Sequence, residues 1–279
     1  MSVNRLKNKV VLVTGASGGI GNSIVNKLSS EGAAVVAVYH RNSPLFPKDK
    51  NVFWIKADMI NSEERDNLVA FCLEKYKRID VLINCAGFLE PGEFSSLEEI
   101  YLRKMIDVNF TSTIIITQKV LSIMKSQGSG HIITLGSLGG IVPMPYSAVY
   151  SATKFALRGF SFSLIEELKG TNVKVSLITP GPVNTKMLDY EAQADKSAIS
   201  FLSKPISPID VANTVLQTIH EPTIEKIIPF SQSFASKLLV FSPKIFSIVY
   251  KLLHRLGLSG KIKYLNRYCN ISLMKGVAR

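Results

Sequence analysis

The passage from Lys9 to Leu28 limits what this chain can become more than any other stretch. Lys9-Val10-Val11-Leu12-Val13-Thr14 is an unbroken apolar run, the pattern of a parallel strand covered on both faces. It runs straight into Gly15-Ala16-Ser17-Gly18-Gly19-Ile20-Gly21, and then into a helical pattern carried by Ile24, Val25 and Leu28 that ends near Gly32. Strand, glycine turn and helix in that order are the context in which a glycine cluster holds a dinucleotide. Gly15 permits a tight turn, and Gly19 and Gly21 let backbone and helix approach a pyrophosphate. The helix start adds open N–H groups and the positive end of its dipole. The spacing is G-x-x-x-G-x-G.

The same alternation continues. Ala34–Tyr39, Val52–Ala57, Asp80–Asn84, His131–Leu135, Val173–Thr179 and Lys226–Phe230 read as further strands. Between them lie a helix from Ser62, as N-cap, to about Tyr76, and two helical stretches in 97–126 meeting near Asp107–Phe110. A helix reaching about Lys169 and a short one over Pro208–His220 follow. Such a series predicts an α/β fold with a doubly wound parallel sheet. One domain spans 1–230, and 231–279 form a helical extension. Gly139 to Tyr146 make a Gly/Pro-rich loop suited to walling a pocket. Residues 186–204 are weakly periodic, as in a mobile lid.

Several side chains in this frame carry chemistry. Tyr150 and Lys154 are four apart on one helix and share a face. A cation near a phenol favours phenolate, which predicts a Tyr150 pKa drawn down toward the range of a general acid/base. Ser137 closes the strand at 131–135 and can orient a carbonyl against that phenol. A Tyr-x-x-x-Lys pair alone is weak, since many helices contain one by chance. Asn84 ends a strand next to Cys85-Ala86-Gly87, where it can tie the loop together or act directly. Asn109, inside a helical pattern, can face solvent, bond locally, or open the backbone ladder and hold a water. The second strand ends in Tyr39-His40-Arg41-Asn42 without a carboxylate. An acid there would repel a 2′-phosphate, whereas the Arg41 fork can grip one, so NADP(H) is favoured over NAD(H).

Composition narrows the class. Hydrophobic residues make up 46% of 279, enough for a packed core. Cys72, Cys85 and Cys269 are odd in number and share no metal-like spacing. His40, His131, His220 and His254 are scattered, so no metal site is expected. No signal-peptide pattern opens the chain, which makes a cytoplasmic protein the expectation. The formal charge of +12 is concentrated: from Lys226 to Arg279 there are ten Lys or Arg and no Asp or Glu. The body is therefore near neutral and nucleic-acid binding is not expected. In the tail, Ser242-Pro243 opens a helix and Gly257 stops it. Lys244, Ser247, Lys251, His254 and Arg255 share one arc. Ile245, Phe246, Val249, Tyr250, Leu252, Leu253 and Leu256 fill the other. That face can lie on a membrane as a peripheral contact, or pack on the pocket or a second subunit. Either use favours a lipophilic substrate, and the interrupting lysines argue against a spanning helix.

Taken together, Thr14 to Gly21, Asn84-Cys85-Ala86-Gly87, Asn109, Ser137, Tyr150 with Lys154, and Pro180-Gly181 resemble the short-chain dehydrogenase/reductase family over about residues 6–230. The resemblance implies a Rossmann-type sheet and hydride transfer between NADP(H) and a carbonyl or secondary alcohol. Tyr150 would be the acid/base, and Lys154 would lower its pKa and bind the nicotinamide ribose. Ser137 would polarise the substrate oxygen, and Asn109 would hold a water linking Lys154 to solvent. Gly15, Ser17, Gly19, Ile20 and Gly21 would take the pyrophosphate, Asp58 the adenine, and Asn84, Ala86 and Gly87 the adenosine side. Pro180, Gly181, Val183 and Thr185 would meet the nicotinamide amide. Members of that family are usually homodimers or homotetramers. The chain departs from its pattern in having no basic residue within Ala16-Ser17-Gly18 and a cysteine at 85. A non-catalytic dinucleotide sensor on the same fold is the competing reading.

Overall fold

The computed structural model describes residues 6–41, 49–231 and 243–269. Seven strands form one parallel sheet: β1 (Val10–Val13), β2 (Ala34–Tyr39), β3 (Val52–Lys56), β4 (Val81–Asn84), β5 (Gly130–Leu135), β6 (Val173–Pro180) and β7 (Glu225–Ile228). Their spatial order is 3-2-1-4-5-6-7. The order reverses between β1 and β4, whose registers pair Val11 with Val81 and Val13 with Ile83. Such a reversal opens a crevice at the carboxyl ends of the strands, where ligands of doubly wound sheets bind.

The unbroken apolar runs follow from this burial. Val11 and Val13 point to one face, with Ile24, Val25 and Leu28 of α1 (Gly19–Ser30). Leu12 points to the other face. It packs in the cluster containing Leu68 and Cys72 of α2 (Ser62–Tyr76). After α3 (Glu99–Ile106) and a π turn at Asp107–Thr111, α4 (Ser112–Gln127) adds Ile116, Val120 and Met124 to that second layer. A fully buried Leu or Ile contributes about 1.5–3 kcal/mol, so two such layers give the strands no polar face to expose.

The start of α2 corrects an expectation. The N-cap of α2 is Asn61, not Ser62, because the Asn61 side chain accepts from the Glu63 and Glu64 N–H groups. The weakly periodic stretch after β6 contains a helix, α6 (Lys186–Gln193), followed by a 3-10 turn at Ile199–Phe201. α5 (Ala148–Glu167) carries Tyr150 and Lys154, and α7 (Pro208–His220) begins with a Ser207/Asp210 capping box.

The tail helix, α8, spans Pro243–Tyr264 and continues as a π turn over Leu265–Cys269. Pro243, the first helical residue that the sequence predicts, is helical, and the proposed cap, Ser242, lies outside the described residues. It does not stop at Gly257. There a Cβ would lie 2.3 Å from the Ala198 carbonyl oxygen, and at Gly260 one would lie 2.0 Å from that of Phe201. Both glycines serve to bring the helix against the lid. Lys261 and Tyr264 are 7% and 4% exposed in that contact. Outward, Ile248, Leu252 and Leu256 form an exposed row. Among the described residues no helix is long and apolar enough to cross a membrane.

Candidate active site

The glycine turn is held from both sides. The Ala16 N–H donates to the Val38 carbonyl at 2.8 Å, and Thr14 Oγ1 accepts from the Cys85 and Ala86 N–H groups at 3.1 and 3.2 Å. Gly15 has φ +64°, and a Cβ there would meet the Ala86 Cα at 2.6 Å. At Gly21 one would lie 2.2 Å from the Gly15 carbonyl oxygen. Only glycine satisfies either position. No side chain caps α1, leaving its first N–H groups open to an anion. Gly18 and Gly19 are exposed at this lip, and a Cβ at Gly87 would meet only Asn109 Oδ1, at 3.8 Å. The turn thus has the open cradle a dinucleotide phosphate requires.

From that lip a cavity of about 400 Å³ reaches to α5, lined by Ile20, Gly87, Ser137, Tyr150, Lys154 and Thr185 among others. Cys85, Pro180, Gly181 and Val183 line it too. Of the predicted glycine-turn residues Ile20 alone lines this cavity, together with the predicted residues of the β6 end and the catalytic helix, while Gly15, Ser17, Gly19 and Gly21 do not line it. The Ser137 hydroxyl lies close enough to the Tyr150 phenol to lower its pKa, and it accepts from the Gly139 N–H at 3.1 Å. Lys154 is 6% exposed and donates to the Leu135 carbonyl at 2.9 Å. Its Nζ lies 5.7 Å from the Tyr150 ring centroid.

The electrostatics depart from the sequence expectation. Burial pushes the Tyr150 phenol up to about 12, opposed by the nearby Ser137 hydroxyl and reinforced by the charge of Glu191. The same burial pushes Lys154 down to about 8. Lys154 therefore does not draw Tyr150 into the working range in this pocket. Its ammonium is committed to Leu135, and desolvation of the phenol outweighs any field it exerts.

Other predicted residues lie behind or beside the cavity. Asn109 is fully buried in the π turn. Its amide clamps Phe88, accepting from that N–H at 2.7 Å and donating to that carbonyl at 2.8 Å, and reaches Thr153 Oγ1 at 3.2 Å. The Asn109 side chain is spent on the loop after β4, while the π turn widens the backbone ladder around it. Asn84 ties Thr117 Oγ1 at 2.9 Å and Thr134 Oγ1 at 3.4 Å, and its Oδ1 is buried with no partner. Arg41 is exposed just beyond β2. Asp58, after β3, pairs with His40 at 3.4 Å, so a carboxylate does reach the end of β2, from a neighbouring strand. Ser17 sits half-buried in the turn.

Glu191 and Ser200, which the sequence did not single out, complete the cavity from the lid, and Leu253 of the tail's apolar arc completes it from α8. The lid is tied on both sides. Tyr190 donates to Glu90 at 2.6 Å and Lys196 pairs with Glu93 at 3.1 Å. Tyr264 donates to Asp189 at 2.8 Å, and Lys261 donates to the Ala194 carbonyl. The face of the tail helix that packs beside the pocket carries Leu253, Gly257, Gly260, Lys261 and Tyr264, and is not the predicted apolar arc as a whole, of which Leu253 packs here and Leu252 and Leu256 are exposed. Among the described residues no group of three or more His, Cys, Asp or Glu side chains could hold a metal ion.

Known proteins share this fold. Residues 9–196 match the family model described as short chain dehydrogenase. An oxidoreductase of Staphylococcus saprophyticus is 36% identical over 229 residues, covering 79% of this chain and 93% of that protein. One from Staphylococcus epidermidis is 32% identical over 223 residues, covering 78% and 94%. Among solved structures, a short-chain dehydrogenase of Streptomyces avermitilis superposes with a TM-score of 0.73 at 23% identity, covering 88% of this chain and 97% of that one. The serine dehydrogenase of Escherichia coli gives 0.66 at 28%, covering 78% and 96%. ElxO, solved with NADP bound, gives 0.69 at 23%, covering 79% and 96%. With its parallel sheet, glycine cradle and shared cavity, the chain belongs to the short-chain dehydrogenase family, and is an NAD(P)-dependent oxidoreductase of that family.

Proposed function

We propose that the protein reduces the carbonyl group of a lipophilic compound with NADPH, or oxidises the corresponding secondary alcohol with NADP+, using Tyr150 as the acid/base. The observation that carries this is the convergence of Tyr150, Ser137 and Lys154 on one cavity that Ile20, at the end of the glycine turn, and the β6 end also line. A bound nicotinamide would supply or accept the hydride at the reacting carbon. Ser137 and Tyr150 hold the substrate oxygen between two hydroxyls. With its pKa held high, Tyr150 carries its proton at neutral pH and can give it to the oxygen as charge develops there. Lys154, held near 8 by burial, sits behind the phenol as a cation that can stabilise the phenolate left after transfer and help restore its proton.

Selectivity follows from the walls. Leu135, Val142, Met144, Leu188, Leu202 and Leu253 line the cavity, which supports an apolar substrate body. Arg41, exposed at the end of β2, supports a 2′-phosphate and hence NADP(H), and the Asp58 carboxylate that reaches the same end is paired with His40. The Tyr150–Ser137–Lys154 set speaks against a sensor that has given up catalysis. NADPH consumption with a panel of apolar ketones and aldehydes tests the reading. Tyr150→Phe should lower kcat/KM by about 10²–10⁴-fold while leaving NADPH affinity within about twofold. A Tyr150→Phe enzyme that still turns over at the parent rate would sink the assignment.

A further inference from the structure

The cavity holds a carboxyl that hydride transfer does not use. Glu191, on α6, is 5% exposed yet lines the space that contains Tyr150. Its Oε1 accepts from Ser197 Oγ at 2.6 Å and from Ser200 Oγ at 2.7 Å. Among the described residues nothing donates to Oε2, and Oε2 is not one of the sealed polar atoms without a partner, so it stays accessible on a residue that lines the cavity. A carboxyl in a mostly apolar pocket is costly unless its oxygens are bonded. The two serines satisfy one oxygen from the protein side and leave the other for whatever enters.

Lys261 fixes the kind of group that fits. It reaches the lid from α8, donating to the Ala194 carbonyl, and its charge couples to Glu191. Burial raises the carboxyl, opposed by the two serines and by Lys261. A ligand ammonium would place a second cation beside a carboxyl that already has one. A hydroxyl suits either protonation state, because it donates to a carboxylate oxygen and accepts from a carboxylic acid.

We propose that Glu191 is the polar anchor of the substrate subsite, and that the substrate carries a second hydroxyl, apart from its reacting carbonyl or carbinol, which bonds Glu191 Oε2. The substrate class is then a hydroxylated lipophilic ketone, or the diol formed from it, held at one end by Ser137 and Tyr150 and at the other by Glu191. This rests on the carbonyl reductase reading.

The test separates the two. Calorimetry measures binding of linear ketones to the full chain saturated with NADP+, a pairing in which the ketone carbon and the cofactor are both oxidised and exchange no hydride. Each ketone is compared as its terminal-hydroxyl, terminal-methyl and terminal-amino form over a series of chain lengths. At the length that spans the subsite, the hydroxyl form should bind about tenfold tighter than the methyl form, the worth of a hydrogen bond to a charged group. Glu191→Leu should erase that ratio, and Glu191→Gln, which keeps the shape and the serine bonds, should retain a smaller one. No hydroxyl preference at any length, a preference that survives Glu191→Leu, or an amino form that binds tightest would each overturn the proposal. Turnover of the same ketones with NADPH is scored separately. Turnover without the binding preference removes the Glu191 anchor alone, and the preference without turnover keeps the anchor and removes the reductase.

Discussion

Replacing Gly257 and Gly260 together by alanine sets two effects of opposite sign against each other. In a free helix each change favours helix by about 0.8–1 kcal/mol. In the docked helix each new Cβ would fall 2.3 Å from the Ala198 carbonyl oxygen and 2.0 Å from that of Phe201. Carbon and oxygen settle at about 3.3 Å or more, so α8 must withdraw from the lid by about 1 Å. Both obstacles are backbone, which yields less readily than a side-chain tip. Overpacking of this kind costs about 1–3 kcal/mol, and withdrawal also strains the 2.8 Å bond from Tyr264 to Asp189, worth about 1.5–3 kcal/mol when made. One movement relieves both clashes, so the losses are not additive. About 3 kcal/mol of docking energy, or about a hundredfold in the opening equilibrium, is the expected change. Hydrogen exchange read by mass spectrometry should show faster exchange in 186–204 and in α8, with β1, β4 and β5 unchanged, while far-ultraviolet helicity holds or rises. Unchanged protection of the lid and α8 would refute the reasoning, because it would mean that the glycines are not needed for the close approach.

Two further outcomes follow from charge. Arg41→Asp should raise the KM for NADPH by about tenfold or more, the loss of a charge-assisted fork on phosphate, and leave the KM for NADH within about twofold; equal effects on both cofactors would remove Arg41 from 2′-phosphate recognition. In the direction of reduction, kcat/KM should fall as pH rises through about 8, where Lys154 loses its proton, and a profile flat to pH 10 would contradict that role. The sign for stability is the reverse. Lys154 titrates at about 8 in the folded chain against an ordinary 10.5, so its buried charge penalises folding in full below about 8 and the penalty is relieved as pH rises toward 10.5.

What could be read from the sequence was carried by contacts close in the chain or repeated along it. Continuous apolar runs report strands buried on two faces. Gly15 and Gly21 report a turn in which a Cβ would strike backbone within six residues or on the adjoining β4 end. Tyr150 and Lys154 report a shared helix face. The tyrosine pKa could not be read this way, because it depends on how completely the cavity strips water from the phenol. Lys154 was expected to pull it down, but Lys154 is itself desolvated and bonded to Leu135. Asn109 gave no sign of its clamp on Phe88, a loop residue twenty-one positions upstream whose nearness only the fold creates.

The lid and tail show why chemistry can be invisible in a pattern that looks unremarkable. Glu191 sits in a stretch whose periodicity is weak because its neighbours face three ways, toward the cavity, toward α8 and toward the loop at Glu90 and Glu93. Gly257 reads as a helix stop, since glycine is the usual residue where a helix ends in a left-handed turn. The helix continues here because the glycine is used for what it lacks rather than for how it bends. A missing Cβ lets α8 meet backbone at Ala198, as Gly260 lets it meet Phe201. That approach delivers Leu253 to the cavity wall and Lys261 to the neighbourhood of Glu191. The tail is therefore part of the site. A chain cut before Pro243 would lose a wall of its pocket and the cation beside Glu191, while Tyr150, Ser137 and Lys154 would remain on the elements that position them.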